Sequence, residues 1–373
     1  MRQIYLDYNA STPLAPKVAE TMRRVMDEGF GNPSSSHWAG SSAKAIIEKG
    51  RQQVADLLGC GPAEIVFTSG GSEANNLALK GLFFSPDRND STSHIVTTAI
   101  EHPAILSPCK FLEKLGARVT YLGVDSTGRI DPDDLRKAIT ADTFLISVMH
   151  ANNEVGTIQP IRECSRIARE HGVLFHTDAA QSIGKIATTV DDLNVDLLSV
   201  AGHKFYAPKG IGALYLRQGL KLEPLIHGAG HENGRRAGTE SALLIAALGE
   251  AAELADNLSY IAPIQGLRDR LWEHLLERFG DGIVLNGHAE ERLPNTLNVS
   301  FVGRIGTDVI GSLEGVAAST GSACHAGRIE LSPVLAAMGV RPEVGMGAVR
   351  FSLGRMTTEA DIAALDALLG SIP

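Results

Sequence analysis

The stretch LLSVAGHKFYAPKGIGALYL, residues 197–216, decides the fold because it contains two buried strand candidates joined by a segment with a lysine. The apolar runs LLSV (197–200) and GALYL (212–216) are typical of strands that are covered on both faces. Lys204 lies between them. A lysine near buried strands tends to lose its proton and become a nucleophilic amine, so this segment predicts chemistry at a sheet edge.

Further apolar runs with the length of strands precede this stretch. They are EIVFT (64–68), HIVTT (94–98), RVTYL (118–122), FLISVM (144–149) and VLFHTD (173–178). Helical patterns separate most of them, and this alternation predicts an α/β fold with a mainly parallel seven-stranded sheet. Ligands of such sheets bind beyond the carboxyl ends of the strands, where we look for functional residues.

The chain of 373 residues exceeds what one hydrophobic core usually supports, so two domains are expected. We predict a large domain over residues 15–255 and a smaller α+β domain formed by residues 1–14 and 256–373. The long amphipathic pattern YIAPIQGLRDRLWEHLLERF predicts a helix near the start of the second part of the small domain.

Composition and charge narrow the function classes. The net charge of −9 and the lack of a basic run argue against nucleic-acid binding, and no apolar run is long enough to predict a membrane span. The start MRQIYLDYNASTP does not resemble a signal peptide, so we expect a cytoplasmic protein. The spacing of the four cysteines predicts neither disulfides nor a zinc site, and free thiols fit a reducing compartment.

Two strand ends carry the most informative polar residues. Asp178 ends an apolar strand, where a carboxylate without a cationic partner would be costly, and Gln181 could reach the same ligand from the next turn. The glycine-rich TSGGSEANNLALKG (68–81) precedes a helix that we expect to begin near Ser72. Its free N–H groups suit a phosphate, although a plain structural turn explains this segment equally well.

His102 in AIEHPAI and the pair Asn152 and Asn153 in VMHANNEVG also follow strands. A structural histidine and an ordinary turn are the simpler interpretations of these motifs. The N-terminus of the helix expected near Ser72, taken with Lys204 and Asp178, gives the set that pyridoxal phosphate requires: a helix N-terminus for the phosphate, a lysine for covalent attachment and an acid for the pyridine nitrogen.

Several motifs also resemble those of a known family, both in their residues and in their order along the chain. YLDYNASTP (5–13), GNPSSSH (31–37), GHK (202–204) and RFSLGRMTT (350–358) together resemble the cysteine desulfurase family of fold-type-I pyridoxal-phosphate enzymes over nearly the whole chain. The resemblance implies the fold-type-I transferase fold, pyridoxal 5'-phosphate as cofactor, and L-cysteine as substrate.

The resemblance also implies roles for single residues. Lys204 would bind the cofactor covalently, Asp178 would pair with the pyridine nitrogen, His102 would stack on the ring and Gln181 would contact the phenolic oxygen. The phosphate cradle would be formed by Gly71, Ser72 and His203. Thr239 in GHENGRRAGTES would reach the phosphate of a neighbouring subunit, which implies a homodimer with shared active sites.

One position departs from the commoner family pattern. Ala201 stands where many desulfurases have a serine or threonine, so one hydroxyl contact to phosphate is absent. A neutral hydrogen bond contributes about 0.5–1.5 kcal/mol, too little to prevent cofactor binding. We also expect His203, when charged, to help keep the Lys204 amine unprotonated.

The segment ASTGSACHAGRIELSPVL (318–335) carries Cys324 among small residues, which predicts a mobile loop. It matches the family's persulfide-forming cysteine, whose thiolate would take the substrate sulfur while alanine forms. The other three cysteines are expected to be buried small apolar residues. Arg350 would hold the substrate carboxylate, in preference to Arg355, and Asn153 would orient the carboxylate or the ring oxygen.

Alternatives remain open at this point. Several motifs are also similar to selenocysteine lyases, which release selenium from L-selenocysteine with formation of L-alanine; the presence of Cys324 and its loop favours the desulfurase. A metal-dependent hydrolase lacks a supporting HExxH or HxH pair, and a non-catalytic scaffold would not need this set of reactive residues. The sequence does not name the protein that accepts the sulfur. The end LDALLGSIP lacks the longer tail with which iron–sulfur assembly desulfurases meet their scaffold, which argues against that partner.

Overall fold

The computed structural model describes residues 2–89, 93–320, 322–325 and 328–372. Side chains of residues 322–325, 328 and 329 lie outside the described part.

The strands of the described residues fall into four sheets. In chain order they are β1 (Ile4–Tyr5), β2 (Ile65–Thr68), β3 (His94–Thr98), β4 (Arg118–Leu122), β5 (Thr143–Ser147), β6 (Leu174–Asp178), β7 (Leu197–Ala201), β8 (Gly212–Leu216), β9 (Ile283–Asn286), β10 (Thr296–Phe301), β11 (Val316–Ala317), β12 (Ser319–Thr320), β13 (Ser322–His325), β14 (Arg328–Leu331) and β15 (Ala348–Ser352).

The helices lie mostly between these strands. They are α1 (Pro16–Glu28), α2 (Trp38–Leu58), α3 (Gly71–Phe83), α4 (Pro103–Glu113), α5 (Pro132–Ala138), α6 (Ile161–Glu170), α7 (Val190–Leu193), α8 (Ala242–Asp256), α9 (Ile261–Phe279), α10 (Gly306–Ser312), α11 (Pro333–Ala337), α12 (Pro342–Gly345) and α13 (Glu359–Leu368).

The central sheet has seven strands in the order β2, β8, β7, β6, β5, β3, β4, and β8 is antiparallel to both of its neighbours. The predicted α/β class and mainly parallel sheet are confirmed. The end of β5 differs from the prediction, because the run FLISVM continues past Ser147 into residues that have left the sheet. Apolarity alone therefore placed this strand end two residues too far along the chain.

A smaller antiparallel sheet, in the order β12, β15, β10, β9, forms a second layer with α9 and α13. Its core includes Leu271, Leu297 and Phe351, and the N-terminal residues Ile4 and Leu6 join it. The chain then crosses to the large sheet: the backbone N–H of residue 12 donates to the carbonyl of residue 203. The smaller antiparallel domain is confirmed, while its boundaries at residues 14 and 255 stay a prediction.

Close backbone packing at the carboxyl end of the central sheet places the start of α3. Gly70 has φ +148° and ψ −179°, a backbone conformation that glycine adopts readily and other residues rarely do. It turns the chain from β2 into α3. Gly212 of β8 lies against this turn. A Cβ atom added to Gly212 would stand 2.7 Å from the Cα of Gly70 and 2.4 Å from the carbonyl oxygen of Val200.

Gly212→Ala is therefore expected to lower the free energy of unfolding by about 1–3 kcal/mol. The added methyl group would clash with backbone atoms, and this clash can be relieved only if strands move. Urea denaturation measures this loss. Gly266→Ala in α9 is the matched control, since its added methyl meets nothing within 4 Å. It should stabilise the protein by about 0.5–1 kcal/mol. Equal stability of the two variants would contradict the packing argument.

Candidate active site

A cavity of about 600 Å³ opens at the carboxyl ends of the central strands. Most residues singled out from the sequence line it: Gly71, Ser72, His102, Asn153, Asp178, Gln181, Ala201, His203, Lys204 and Arg350. They come from the ends of β2, β3, β5, β6 and β7 and from β15 of the small sheet. The topology thus joins residues that lie far apart in the sequence.

Lys204 ends a short 3-10 turn, Gly202–Lys204, directly after β7. Its amine donates to the backbone carbonyls of Asn9 at 2.7 Å and Ala10 at 2.9 Å. Burial, followed by the positive charge of Arg350, lowers the pKa of Lys204 to about 8, although Asp178 and Asp7 oppose the shift. The amine is therefore available in its nucleophilic, neutral form close to physiological pH.

His203 behaves differently from what we expected. Burial and the neighbouring cations, Lys204 first, lower the pKa of His203 to about 4, so its ring is neutral at physiological pH. The expectation that a charged His203 keeps Lys204 unprotonated is wrong, because desolvation and Arg350 lower that pKa instead. Among the described residues, the buried Nδ1 of His203 has no hydrogen-bond partner, which leaves it for a ligand.

The carboxylate of Asp178 is held by two donors. Nδ2 of Asn75 donates to Oδ2 at 2.7 Å, and the backbone N–H of Ala180 donates to Oδ1 at 2.9 Å. Both donors are neutral, and no ion pair to Asp178 exists within the described ranges. The buried charge is therefore left for a cationic group of a ligand. Asn75 was missed from the sequence, since an asparagine in the first turns of a helix carries no distinctive signal.

His102 caps a helix as well as lining the cavity. It is the N-cap residue of α4, where its Nδ1 accepts a hydrogen bond from the N–H of Ala104 at 3.1 Å. This bond fixes the ring orientation, and burial lowers the pKa of His102, so the ring is mainly neutral. A fixed neutral ring is suited to stacking.

Arg350 of β15 lines the cavity, and two hydrogen bonds hold its guanidinium in place. It donates to Oδ1 of Asp7 at 2.6 Å and to the carbonyl of Asn153 at 2.9 Å, while its buried Nε has no partner in the described part of the chain. Arg355 lies elsewhere, with its guanidinium 3.8 Å from the ring centroid of Tyr260. Asp7 was not recognised in YLDYNASTP, because its partner is 343 residues away.

Thr239 does not line the cavity of this chain and is exposed on the surface. Cys324 lies in β13, which pairs with β14 in an antiparallel hairpin rather than an irregular loop, because the backbone groups of Ser322–His325 pair with Arg328–Leu331. The Cys324 side chain lies outside the described part. The role of each residue stays a prediction.

The remaining cysteines are free thiols. Cys109 and Cys164 are buried, while Cys60 is only half-buried and corrects our expectation for that residue. Burial, aided by nearby carboxylates, raises the pKa of each of these thiols to about 12. These three sulfur atoms are therefore protonated and poorly nucleophilic at neutral pH.

Within the described ranges, no group of three or more histidine, cysteine or acidic residues is arranged to hold a metal ion. None of their helices combines the length and apolarity required to cross a bilayer.

Comparison with known sequences identifies the class of protein to which this fold and this cavity belong. The aminotransferase class-V family matches residues 4–365, and the chain belongs to that family. Among its relatives is a protein named cysteine desulfurase IscS from Dictyoglomus turgidum, which is 49% identical over 365 residues, 97% of this chain and 92% of the relative. The protein of the same name from Methanosarcina thermophila is 47% identical and covers 100% of this chain and 91% of its own length.

Solved structures agree with the sequence comparison. A NifS-like protein superposes with a TM-score of 0.91 at 38% identity, covering 99% of this chain and 98% of that chain. A structure described as SspA in complex with cysteine has a TM-score of 0.85 at 40% identity, with coverages of 95% and 100%.

Members of this family use pyridoxal 5'-phosphate, and the described residues fit this cofactor. The cavity contains a lysine with a pKa of about 8, a buried carboxylate without a cation, an unpartnered histidine nitrogen and a glycine turn at a helix N-terminus. These groups match an aldehyde, a pyridinium nitrogen and a phosphate.

Uptake of pyridoxal phosphate by the cofactor-free protein should accelerate with rising pH and reach half its limit near pH 8, because only the neutral Lys204 amine attacks an aldehyde. Stopped-flow absorbance at several pH values measures the rate. Arg350→Gln should move the midpoint to higher pH, since it removes a cation that disfavours the protonated lysine. A wild-type midpoint near 10.5, the ordinary lysine value, would contradict this reasoning.

Proposed function

We propose that this protein is a pyridoxal-phosphate-dependent cysteine desulfurase that converts L-cysteine to L-alanine and holds the released sulfur on Cys324. One observation carries the proposal: a lysine with a pKa lowered to about 8, a buried carboxylate that forms no ion pair among the described residues and an arginine meet in one cavity. The names of the curated relatives agree with this chemistry.

The residues that would hold the cofactor come from five strand ends. Lys204 would bind it covalently, Asp178 would face the pyridine nitrogen, and the start of α3 with His203 would take the phosphate. His102 would cover the ring, and Gln181 and Asn153 would donate to its oxygen. Pyridoxal phosphate supplies an electron sink that makes the bonds at the α-carbon of an amino acid easier to break.

Arg350 would bind the substrate carboxylate. Its guanidinium is already oriented by Asp7 and by the carbonyl of Asn153, and its unpartnered Nε leaves a donor for a further acceptor. A planar guanidinium suits a carboxylate because it can donate two parallel hydrogen bonds. The amino acid would therefore be held with its amine toward Lys204.

Lys204 would move protons once the substrate is bound. Its Nζ, with a pKa of about 8, can accept a proton near neutral pH and return it at a later step. Asn9 and Ala10 hold the amine at the cavity wall through their carbonyls.

Cys324 would receive the sulfur. Its thiolate attacks the substrate sulfur, a sulfur–sulfur bond forms and the carbon–sulfur bond breaks, with its electron pair going to carbon. Protonation of that carbon gives alanine, and Cys324 is left as a persulfide. The other three cysteines have pKa values near 12 and are poor candidates for this attack.

The protein would act as a cytoplasmic homodimer in which Thr239 serves the cavity of the partner subunit, and this role is supported by the exposure of Thr239 away from the cavity of its own chain. A separate acceptor protein would then remove the sulfur from Cys324.

Cys324→Ala should still bind cysteine but lose nearly all release of alanine, and no sulfur atom should be added to the protein. Mass spectrometry detects the persulfide, and an alanine assay follows turnover. Cys60→Ala is the matched control and should remain active. With selenocysteine the Cys324→Ala variant should lose less activity, because a selenol is a better leaving group. Undiminished alanine release from cysteine would remove the persulfide mechanism.

Mixing Thr239→Asp with Lys204→Ala subunits should restore about a quarter of wild-type activity. Random exchange makes about half of the dimers hybrids, and each hybrid would have one cavity free of both changes. Each variant alone should be nearly inactive, because Thr239→Asp places a carboxylate against the phosphate. The control mixes Thr239→Asp with the double variant Lys204→Ala/Thr239→Asp and should show no rescue. Equal activity of the two mixtures would argue against shared sites.

A further inference from the structure

A second lysine lies beside the cavity, and none of the roles above uses it. Lys185 follows β6 in DAAQSIGK and is 7% exposed. Its amine donates to Oε1 of Gln181 at 2.9 Å. Burial, and then the cations Lys204 and Arg350, lower the pKa of Lys185 well below the ordinary lysine value, and no carboxylate opposes them. Burial and these cations therefore favour the neutral form of the Lys185 amine.

Stability does not explain a lysine at this place. Removing an amine from water is unfavourable unless its hydrogen bonds are replaced, and the Lys185 amine makes one such bond to the residues that the structure describes. An unbranched apolar side chain such as methionine fills a similar volume without that penalty. The amine at Lys185 is better explained by what it does to its partner, Gln181.

The two ends of the Gln181 amide are fixed by different partners. Nε2 donates to the carbonyl of Asn9 at 3.0 Å, and a carbonyl oxygen can only accept, so the NH2 end of the amide must face Asn9. Oε1 then faces Lys185, which must donate. One Nε2 hydrogen is used by Asn9, and the other is left for the cavity that Gln181 lines.

We propose that Lys185 is a positioning residue for the cofactor: its amine holds the Gln181 amide in the one orientation that presents an N–H, rather than an oxygen, to the cavity. This inference rests on the proposed function, because the acceptor of that N–H is the ring oxygen of pyridoxal phosphate.

Loss of the Lys185 amine leaves Oε1 of Gln181 buried without a donor. The amide can then rotate to seek another partner, and its N–H no longer faces the ring oxygen in every molecule. An N–H donated to an anionic oxygen favours the ionised form of the bound chromophore. Without that bond, ionisation requires a higher pH and the cofactor is held less tightly.

The test is a double-mutant cycle of Lys185→Met and Gln181→Leu in the full-length protein. The pH titration of the visible absorption band reports the ionisation of the bound cofactor, a titration with pyridoxal phosphate gives its Kd, and thermal unfolding gives stability. Lys185→Met should raise the Kd about two- to tenfold and move the spectral midpoint to higher pH. Its stability should be unchanged or higher.

The double-mutant cycle distinguishes a role of Lys185 in orienting Gln181 from a purely structural role. In the Gln181→Leu background, Lys185→Met should change neither the Kd nor the spectral midpoint, because both residues act through the same hydrogen bond. An unaltered Kd and spectrum in the single Lys185→Met variant would overturn the inference, as would an equal loss in both backgrounds. A wild-type protein without a visible band would instead overturn the proposed function, and the role of Lys185 with it.

Discussion

The carbonyl oxygen of Asn9 is the contact on which the cavity depends. It accepts hydrogen bonds from Nζ of Lys204 at 2.7 Å and from Nε2 of Gln181 at 3.0 Å. A neutral acceptor can hold a lysine without stabilising its charge as strongly as a carboxylate would, so the amine keeps a pKa of about 8. The wall of the cavity is thus polar enough to position Lys204 and apolar enough to keep it reactive.

Asn9 can serve in this way because the N-terminal segment joins both sheets. Its side chain donates to Oγ1 of Thr296 at 2.8 Å, and its backbone N–H donates to Oγ of Ser352 at 3.0 Å, both in the small antiparallel sheet. Its carbonyl meanwhile faces the large sheet. The positions of Lys204 and Arg350 are therefore coupled through a short stretch of backbone.

The sequence predicted those strands, helices and site residues that can be recognised from a short stretch of chain. The apolar runs located all seven central strands, and the expected start of α3 near Ser72 differs by one residue from the observed start at Gly71. Lys204 and Asp178 were singled out because ionisable side chains beside apolar runs are conspicuous. These inferences need no knowledge of distant parts of the chain.

The sequence did not reveal features that depend on distant contacts. Asp7 contacts Arg350, and Asn75 contacts Asp178. Only the fold brings the members of each pair together, since they lie far apart in the sequence. The protonation of His203 was predicted wrongly for a related reason, since adjacency to Lys204 suggested a charged ring. Burial and the surrounding cations decide that state, and neither can be read from the residue's neighbours in sequence.

Arg350 connects binding of a substrate to the reactivity of Lys204. In the free cavity its positive charge is the second cause, after burial, of the low pKa of Lys204, and Asp7 compensates only part of that charge. A bound carboxylate would neutralise Arg350 further, which removes some of the repulsion felt by a protonated Lys204. The pKa of Lys204 then rises when a substrate is in place. The same residue that recognises the amino acid would thus make Lys204 a stronger base at the moment when a proton has to be removed.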